Sequence, residues 1–258
     1  MDFRFAPDEL EAHRYARTSV RNHLPLTRLS DPTAELAGWA GFAAEGWTRA
    51  CLGEDGPDDL PFLAGLAREA GAVAAGEAFV HNGWLLPKLC SHASQPDRGD
   101  WLAELAARPG FLEESDHGAP GRVVGDTVRA ARPGFGRYRL VSGPLRPARL
   151  HRLSPTGSAI DSLGGLSAQL GRPPADDVPG EGATVELPIT GGQLAELRAG
   201  AAVLRAAGLV GLAAEILATT VTYLGEREQF GQVIGRFQAL KHICADVHAQ
   251  VEVAWLGV

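Results

Sequence analysis

Two apolar helical runs, residues 208–221 and 236–255, are separated by only a short polar segment. Helices joined so closely must fold back on one another, and each must bury the apolar face that the pattern gives it. Arg227-Glu228-Gln229-Phe230-Gly231 lies between them, and Phe237-Gln238 opens the second run. The residue types have a definite chemistry. Arg grips phosphate with a two-pronged fork, Gln both donates and accepts, and Phe offers a flat face to a planar ring. The first backbone amides of a helix have no intrahelical partner and favour an anion. The segment therefore reads as a helix–turn–helix able to hold a phosphate-bearing planar ligand. The alternative is an ordinary helical hairpin with a capped turn.

The first run is the end of a longer helix, about residues 194–226. Along it Leu197, Ala201, Leu204, Gly208, Gly211, Leu212 and Ile216 make a stripe of small and apolar residues suited to close packing. The partner helix places Phe237, Leu240, Ile243, Val247, Val251 and Trp255 on one face. Upstream, Pro7-Asp8-Glu9 opens a helix over residues 7–24, with acidic residues in its first turn. Asp31-Pro32 supplies the N-cap and first position of a second helix, whose apolar face is Leu36, Trp39, Ala40, Ala43 and Trp47. Residues 53–59 form a loop. A third helix is expected over residues 60–86 and a short fourth over 101–107.

From about residue 110 to 188 the texture changes. Gly and Pro become frequent, and short runs such as Arg122-Val123-Val124, Tyr138-Arg139-Leu140-Val141 and Thr184-Val185-Glu186-Leu187 read as strands. Residues 171–177 read as a turn. The expected architecture is mainly α with a small β middle domain (α+β): a helical domain over 1–110, a β-rich domain over 111–190, and a helical hairpin over 191–258.

A specific motif adds to this reading. Arg227-x-Gln229-Phe230-Gly231-x-x-Ile234-x-x-Phe237-Gln238, followed by Ala245-Asp246, resembles the carboxy-terminal helical domain of the acyl-CoA dehydrogenase family. Trp39–Trp47, Gly56 and Arg68-Glu69-Ala70-Gly71 resemble the family's amino-terminal helices, and Val141-Ser142-Gly143 resembles its β domain. The resemblance implies FAD as cofactor, with Arg227, Gln229, Phe230 and Gln238 approaching the ADP part of a flavin held mainly by a neighbouring subunit. It implies dehydrogenation of an acyl-CoA or acyl-carrier thioester at its α,β bond, in a homo- or hetero-oligomer that shares flavin sites.

The same resemblance exposes departures. The family's substrate-facing Arg falls at Ala202, and the helix position that carries the base in some members falls at Ala201. Most members place the base in a later helix, beyond Val258. The family's flavin-side stretch has only Leu112-Glu113-Glu114-Ser115-Asp116-His117-Gly118 as its counterpart. Glu196 and Arg198 lie one turn away, and bringing them into place needs a gap inside a helix. The catalytic residue is thus unassigned. The chain reads as a fragment, a truncated member, or a non-catalytic partner subunit that completes a flavin site.

Net charge is −7, which argues against nucleic acid as a partner. Cys51, Cys90 and Cys244 are odd in number and far apart, so neither a disulfide framework nor a metal site is expected. The amino terminus lacks an apolar signal core, and apolar runs are interrupted by polar residues, which predicts a cytoplasmic chain with no membrane insertion. Asp116-His117 reads as a solvated loop pair, with an acid–base pair as the alternative; His242 and Asp246 share a helical face as two metal ligands would, but the resemblance implies packing and capping there; and His81-Asn82 reads as an interior hydrogen-bonding pair, with a substrate-facing role as the alternative. No dinucleotide-binding, P-loop or hydrolase motif is present.

Overall fold

Asp31 accepts hydrogen bonds from the amides of Thr33 and Ala34, and Pro32 takes the first helical position, so the second helix begins where its capping residues direct. This computed structural model describes residues 7–25, 31–52, 60–116, 135–143, 146–153 and 183–258. Helix α1 runs Pro7–His23 and α2 Pro32–Ala44; a 3₁₀ turn over Trp47–Leu52 follows. α3 is Leu60–Ala72, α4 Gly76–Val80, α5 Leu86–Ser91 and α6 Asp97–Ala107. Strands β1 (Gly110–Asp116), β2 (Gly136–Gly143), β3 (Arg146–Leu153) and β4 (Thr184–Leu187) come next. α7 (Gly191–Glu226), the two-residue strands β5 (Glu228–Gln229) and β6 (Gln232–Val233), and α8 (Gln238–Leu256) complete the chain. Arg122-Val123-Val124, the 53–59 loop and the 171–177 turn lie outside the described residues.

The continuous helix expected over residues 60–86 is instead broken. α3 ends in a paired C-terminal motif: Ala74 N–H bonds to Gly71 O, Ala75 N–H bonds to Ala70 O, and Ala74 takes the left-handed conformation at φ 58°. The run of Ala and Gly through this region disguises the stop, because no Asn or Gly marks the left-handed position. A second irregularity follows at His81–Leu85, which is π-helical, with Leu86 N–H reaching back to His81 O. Pro87 explains it: a ring there clashes with the carbonyl four residues earlier and lacks an N–H, so the preceding turn widens.

That widened turn is what joins the helices to the sheet. The strand order is β1-β2-β3-β4, with β1 parallel to β2 and the remaining pairs antiparallel. β1 is therefore an edge, with alternate amides facing away from β2. Two of them are met by adjacent side chains: Gly110 N–H donates to Asn82 Oδ1 (2.7 Å) and Leu112 N–H to His81 Nδ1 (3.0 Å). Asn82 and His81 are both buried. Removing the acceptor in Asn82→Ala strands a buried amide, and we expect a loss of about 1–2 kcal/mol in urea unfolding. An unchanged midpoint would mean that water replaces it without cost.

The core runs from Trp39, Phe42 and Phe79 in the helices to Tyr138, Leu140, Leu150 and Leu187 in the sheet. α7 crosses α3 at backbone contact. A Cβ on Gly71 would run into the carbonyl oxygen of Gly208, and one on Gly211 into that of Arg68. The predicted stripe is buried at Leu197, Ala201, Leu204, Gly208 and Gly211, but Ile216 is 58% exposed. By length and composition α7 is apolar enough to cross a membrane, contrary to the expectation from polar interruptions. Its first half carries the buried stripe and the ion pair at Arg205, while only 33% of its most apolar stretch is buried within this chain.

Candidate functional site

α7 ends at Arg227, whose amide bonds to Tyr223 O. The chain then makes a hairpin two residue pairs deep, Glu228 against Val233 and Gln229 against Gln232. Phe230 and Gly231 form that tip, at φ 54° and 76°. Two consecutive positive φ values match the twist of a two-residue hairpin, a position ordinarily filled by Asn-Gly or Gly-Gly. Phe at the first of these carries a steric cost of about 1–2 kcal/mol. The ring gains little in return, since Phe230 is 89% exposed and touches mainly the edge of Phe237, 6.2 Å away between centroids. An aromatic held out at a strained position is a feature that stability alone does not explain. Gly235 lets the following 3₁₀ turn lie against Leu224 O, which anchors the hairpin to the end of α7.

Arg227, Gln229, Phe230 and Gln238 are all exposed. The first three sit in the hairpin, and Gln238 opens α8 across the 3₁₀ turn, so the structure gathers the four around one end of the helix pair. Gln238 Nε2 lies 2.8 Å from His242 Nε2; the amide donates, which puts the imidazole proton on Nδ1. The first turn of α8 has no side-chain cap; Leu240 N–H bonds to Phe237 O, and the amides of Gln238 and Ala239 precede it at the helix start. Among the described residues no group of three His, Cys, Asp or Glu side chains is placed to hold a metal, and His242 is engaged by Gln238.

A second polar centre lies on α7. Ala201 is buried and Ala202 exposed, so neither position carries an acid, base or cation. One turn on, Arg205 forms a two-pronged ion pair with Glu77, Nε and Nη2 to Oε1 at 3.0 and 2.9 Å. Glu77 Oε1 also lies 3.0 Å from His81 Nε2. Because His81 Nδ1 accepts from Leu112, its Nε2 carries the proton and donates to Glu77. Burial pushes the Glu77 carboxyl up, but the hydrogen bonds and charges of His81 and Arg205 outweigh it and hold the group at about 2. Sequence reading missed this pair. Its only signal was the four-residue spacing of Glu77 and His81, which specifies a shared face but not Arg205. Asp116 ends β1, and His117 lies outside the described residues.

The order of elements, a helical body, an edge-stitched sheet and a long helical hairpin, defines an acyl-CoA dehydrogenase-like fold. Solved structures share it over almost the whole chain. The acyl-CoA dehydrogenase from Geobacillus kaustophilus superposes with TM-score 0.63 at 14% identity, over 98% of this chain and 78% of that one. A chain of the ChsE4–ChsE5 complex from Mycobacterium tuberculosis gives TM-score 0.62 at 14% identity, over 98% and 77%. Residues 190–258 match the family described as "Acyl-CoA dehydrogenase, C-terminal domain", and this part of the chain belongs to it. Acyl-CoA dehydrogenase IpdE2 from Mycolicibacterium smegmatis is 50% identical over 54 residues, which are 21% of this chain and 17% of that protein. Acyl-CoA dehydrogenase FadE34 from Mycobacterium tuberculosis is 48% identical over 54 residues, 8% of its length. The sequence match thus spans under a fifth of the curated relatives' length.

Proposed function

We propose that the chain is an acyl-CoA dehydrogenase-like flavoprotein subunit, located in the cytoplasm, whose hairpin grips the ADP part of FAD. The observation that carries this reading is the strained, exposed Phe230 beside Arg227 and Gln229 at the uncapped start of α8. These residues fit the group. Arg227 pairs with a phosphate, the α8 amides add partial positive charge, Phe230 presents a face to the adenine, and Gln229 and Gln238 supply hydrogen bonds. FAD, when bound, accepts hydride from the β-carbon of an acyl thioester. Because Arg227, Gln229, Phe230 and Gln238 face outward, the flavin they serve is one bound chiefly by a partner subunit, in a homo- or hetero-oligomer.

A second reading is favoured by Ala201 and Ala202. Without a base or a cation at either position, the chain serves as a non-catalytic subunit that completes a flavin site in a hetero-oligomer. Reconstitution with FAD separates the two. The enzyme reading expects a yellow protein bleached by an acyl-CoA; protein that takes up FAD but is not bleached supports the subunit reading. Under both, Arg227→Ala weakens FAD about tenfold or more, the worth of a charge-assisted hydrogen bond. Equal flavin occupancy in wild type and variant would refute the hairpin's role.

A further inference from the structure

A hollow of about 500 Å³ opens between the 3₁₀ turn at Trp47–Leu52 and helix α6, lined by Arg49, Gln95, Arg98, Leu102, Ala103 and Ala106. Its size lies within the roughly 300–1,000 Å³ range of sites that hold a small molecule. Thr48, Ala50 and Cys51 of the turn are buried, and Arg49 among them is exposed, so inward packing fixes the backbone that carries this guanidinium. Successive residues of a helix lie about 100° apart around its axis, so the faces of α6 follow from its sequence. Trp101 and Leu105 form the face buried in the core. Gly99, Leu102, Ala103 and Ala106 form a second, apolar face beside it, and that face lines the hollow. The acidic residues Asp97, Asp100 and Glu104 fall on the opposite side of the helix, where Glu104 pairs with Arg152 of β3 at 2.6 Å.

The charged side chains that line the hollow are therefore both cations, Arg49 and Arg98, and Gln95 adds a carboxamide. A guanidinium carries five N–H donors in a planar fork that matches a carboxylate or a phosphate, and a single partner does not use them all. The floor between them is hydrocarbon: Leu102, Ala103 and Ala106. An inorganic anion would leave that floor uncovered. A neutral apolar molecule would leave the guanidinium forks unanswered. The combination fits a molecule that has both an anionic head and an apolar body.

We propose that this hollow is a binding site for a small amphipathic organic anion, its carboxylate or phosphate head held by Arg49 and Arg98 and its apolar body lying on Leu102, Ala103 and Ala106. None of these residues belongs to α7, the hairpin or α8, so the site stands apart from the flavin reading and does not depend on it. Ligand-observed NMR on the full chain tests it, with 4-phenylbutyrate and phenyl phosphate as probes and 4-phenyl-1-butanol as the neutral control. The wild type is expected to bind at least one of the anions saturably, and the tighter of the two identifies the head group. The alcohol is expected to bind about fivefold or more weakly than that anion. Arg49→Gln and Arg98→Gln should each weaken the anion about fivefold, the upper worth of a solvent-exposed ion pair. Ala103 is exposed, so Ala103→Phe covers the floor without entering the core, and it should weaken the anion about tenfold or more. No saturable binding of either anion to the wild type would overturn the assignment. So would an alcohol that binds as tightly as the anions, or anion binding undiminished in Ala103→Phe or in either arginine variant.

Discussion

Gly71→Ala should destabilise the protein by about 3 kcal/mol or more, and Gly211→Ala by a similar amount. At each site the added methyl meets backbone, Gly208 O for Gly71 and Arg68 O for Gly211, rather than a side chain that can turn aside. Relief requires α3 and α7 to separate. That movement would open contacts among the buried stripe of α7, including Leu197, Ala201 and Leu204, and the core of α3. Overpacking a core typically costs about 1–3 kcal/mol, and here two helices must shift together. The helix-propensity gain from Gly to Ala, about 1 kcal/mol, acts the other way and is outweighed. Urea unfolding measures the difference. Gly208→Ala is the internal control, since it adds the same methyl at the same crossing of α3 and α7 without the clash. If Gly71→Ala and Gly208→Ala shifted the midpoint alike, the backbone contact would not be what holds α3 to α7.

This contrast also shows how far the sequence reaches. The motif from Arg227 to Gln238 was legible because turn chemistry and helix starts are local. The strands at Tyr138–Val141 and Thr184–Leu187 were legible because alternation is local too, and both fall within observed strands. The break at Ala74 was not. Alanine at φ 58° goes against its own preference, and tertiary contact around Gly71 overrides propensity there. The strain at Phe230 was likewise invisible. Its Phe-Gly tip reads as an ordinary turn until the positive φ shows a hairpin that prefers Asn or Gly. Partnership across the chain is hardest to see. His81-Asn82 read as interior hydrogen-bonding groups, but nothing in their neighbourhood in sequence names Gly110, Leu112 or, through Glu77, Arg205.

The exposed half of the hairpin has a related logic. Ile216, Val221, Tyr223, Ile243, Val253 and Leu256 are each at least half exposed. Of these, Ile216 and Ile243 belong to the faces that the sequence expected to be buried; within this chain those faces are covered only in the first half of α7 and late in α8. There Val251 is buried and the Arg68 guanidinium lies 4.5 Å over the Trp255 ring. Apolar surface of this extent marks an interaction face. It agrees with a flavin site whose two halves come from different subunits.

Glu77→Gln should cost about 2 kcal/mol at pH 7, and the cost should vanish as the pH falls toward 2. The folded-state carboxyl is held at about 2 against an ordinary 4.5. Being depressed, it adds stability that is fully present above the unfolded value and is lost as pH drops through the folded one. The shift sets an upper bound of about 3 kcal/mol. Arg205 is 42% exposed, so solvent screens part of the pairing and the expectation is the lower figure. The variant retains an amide oxygen to accept from His81, so what is lost is chiefly the charge that faces Arg205. Wild-type and variant stabilities should therefore converge between about pH 4.5 and pH 2, and differ by a constant amount from pH 5 to 7. Parallel curves across the acid range would show that the loss comes from packing or hydrogen bonding rather than charge. Because Glu77 connects Arg205 on α7 to His81 and, through it, to Leu112 on β1, convergence would place an ionised carboxylate at the junction of both helical segments and the sheet.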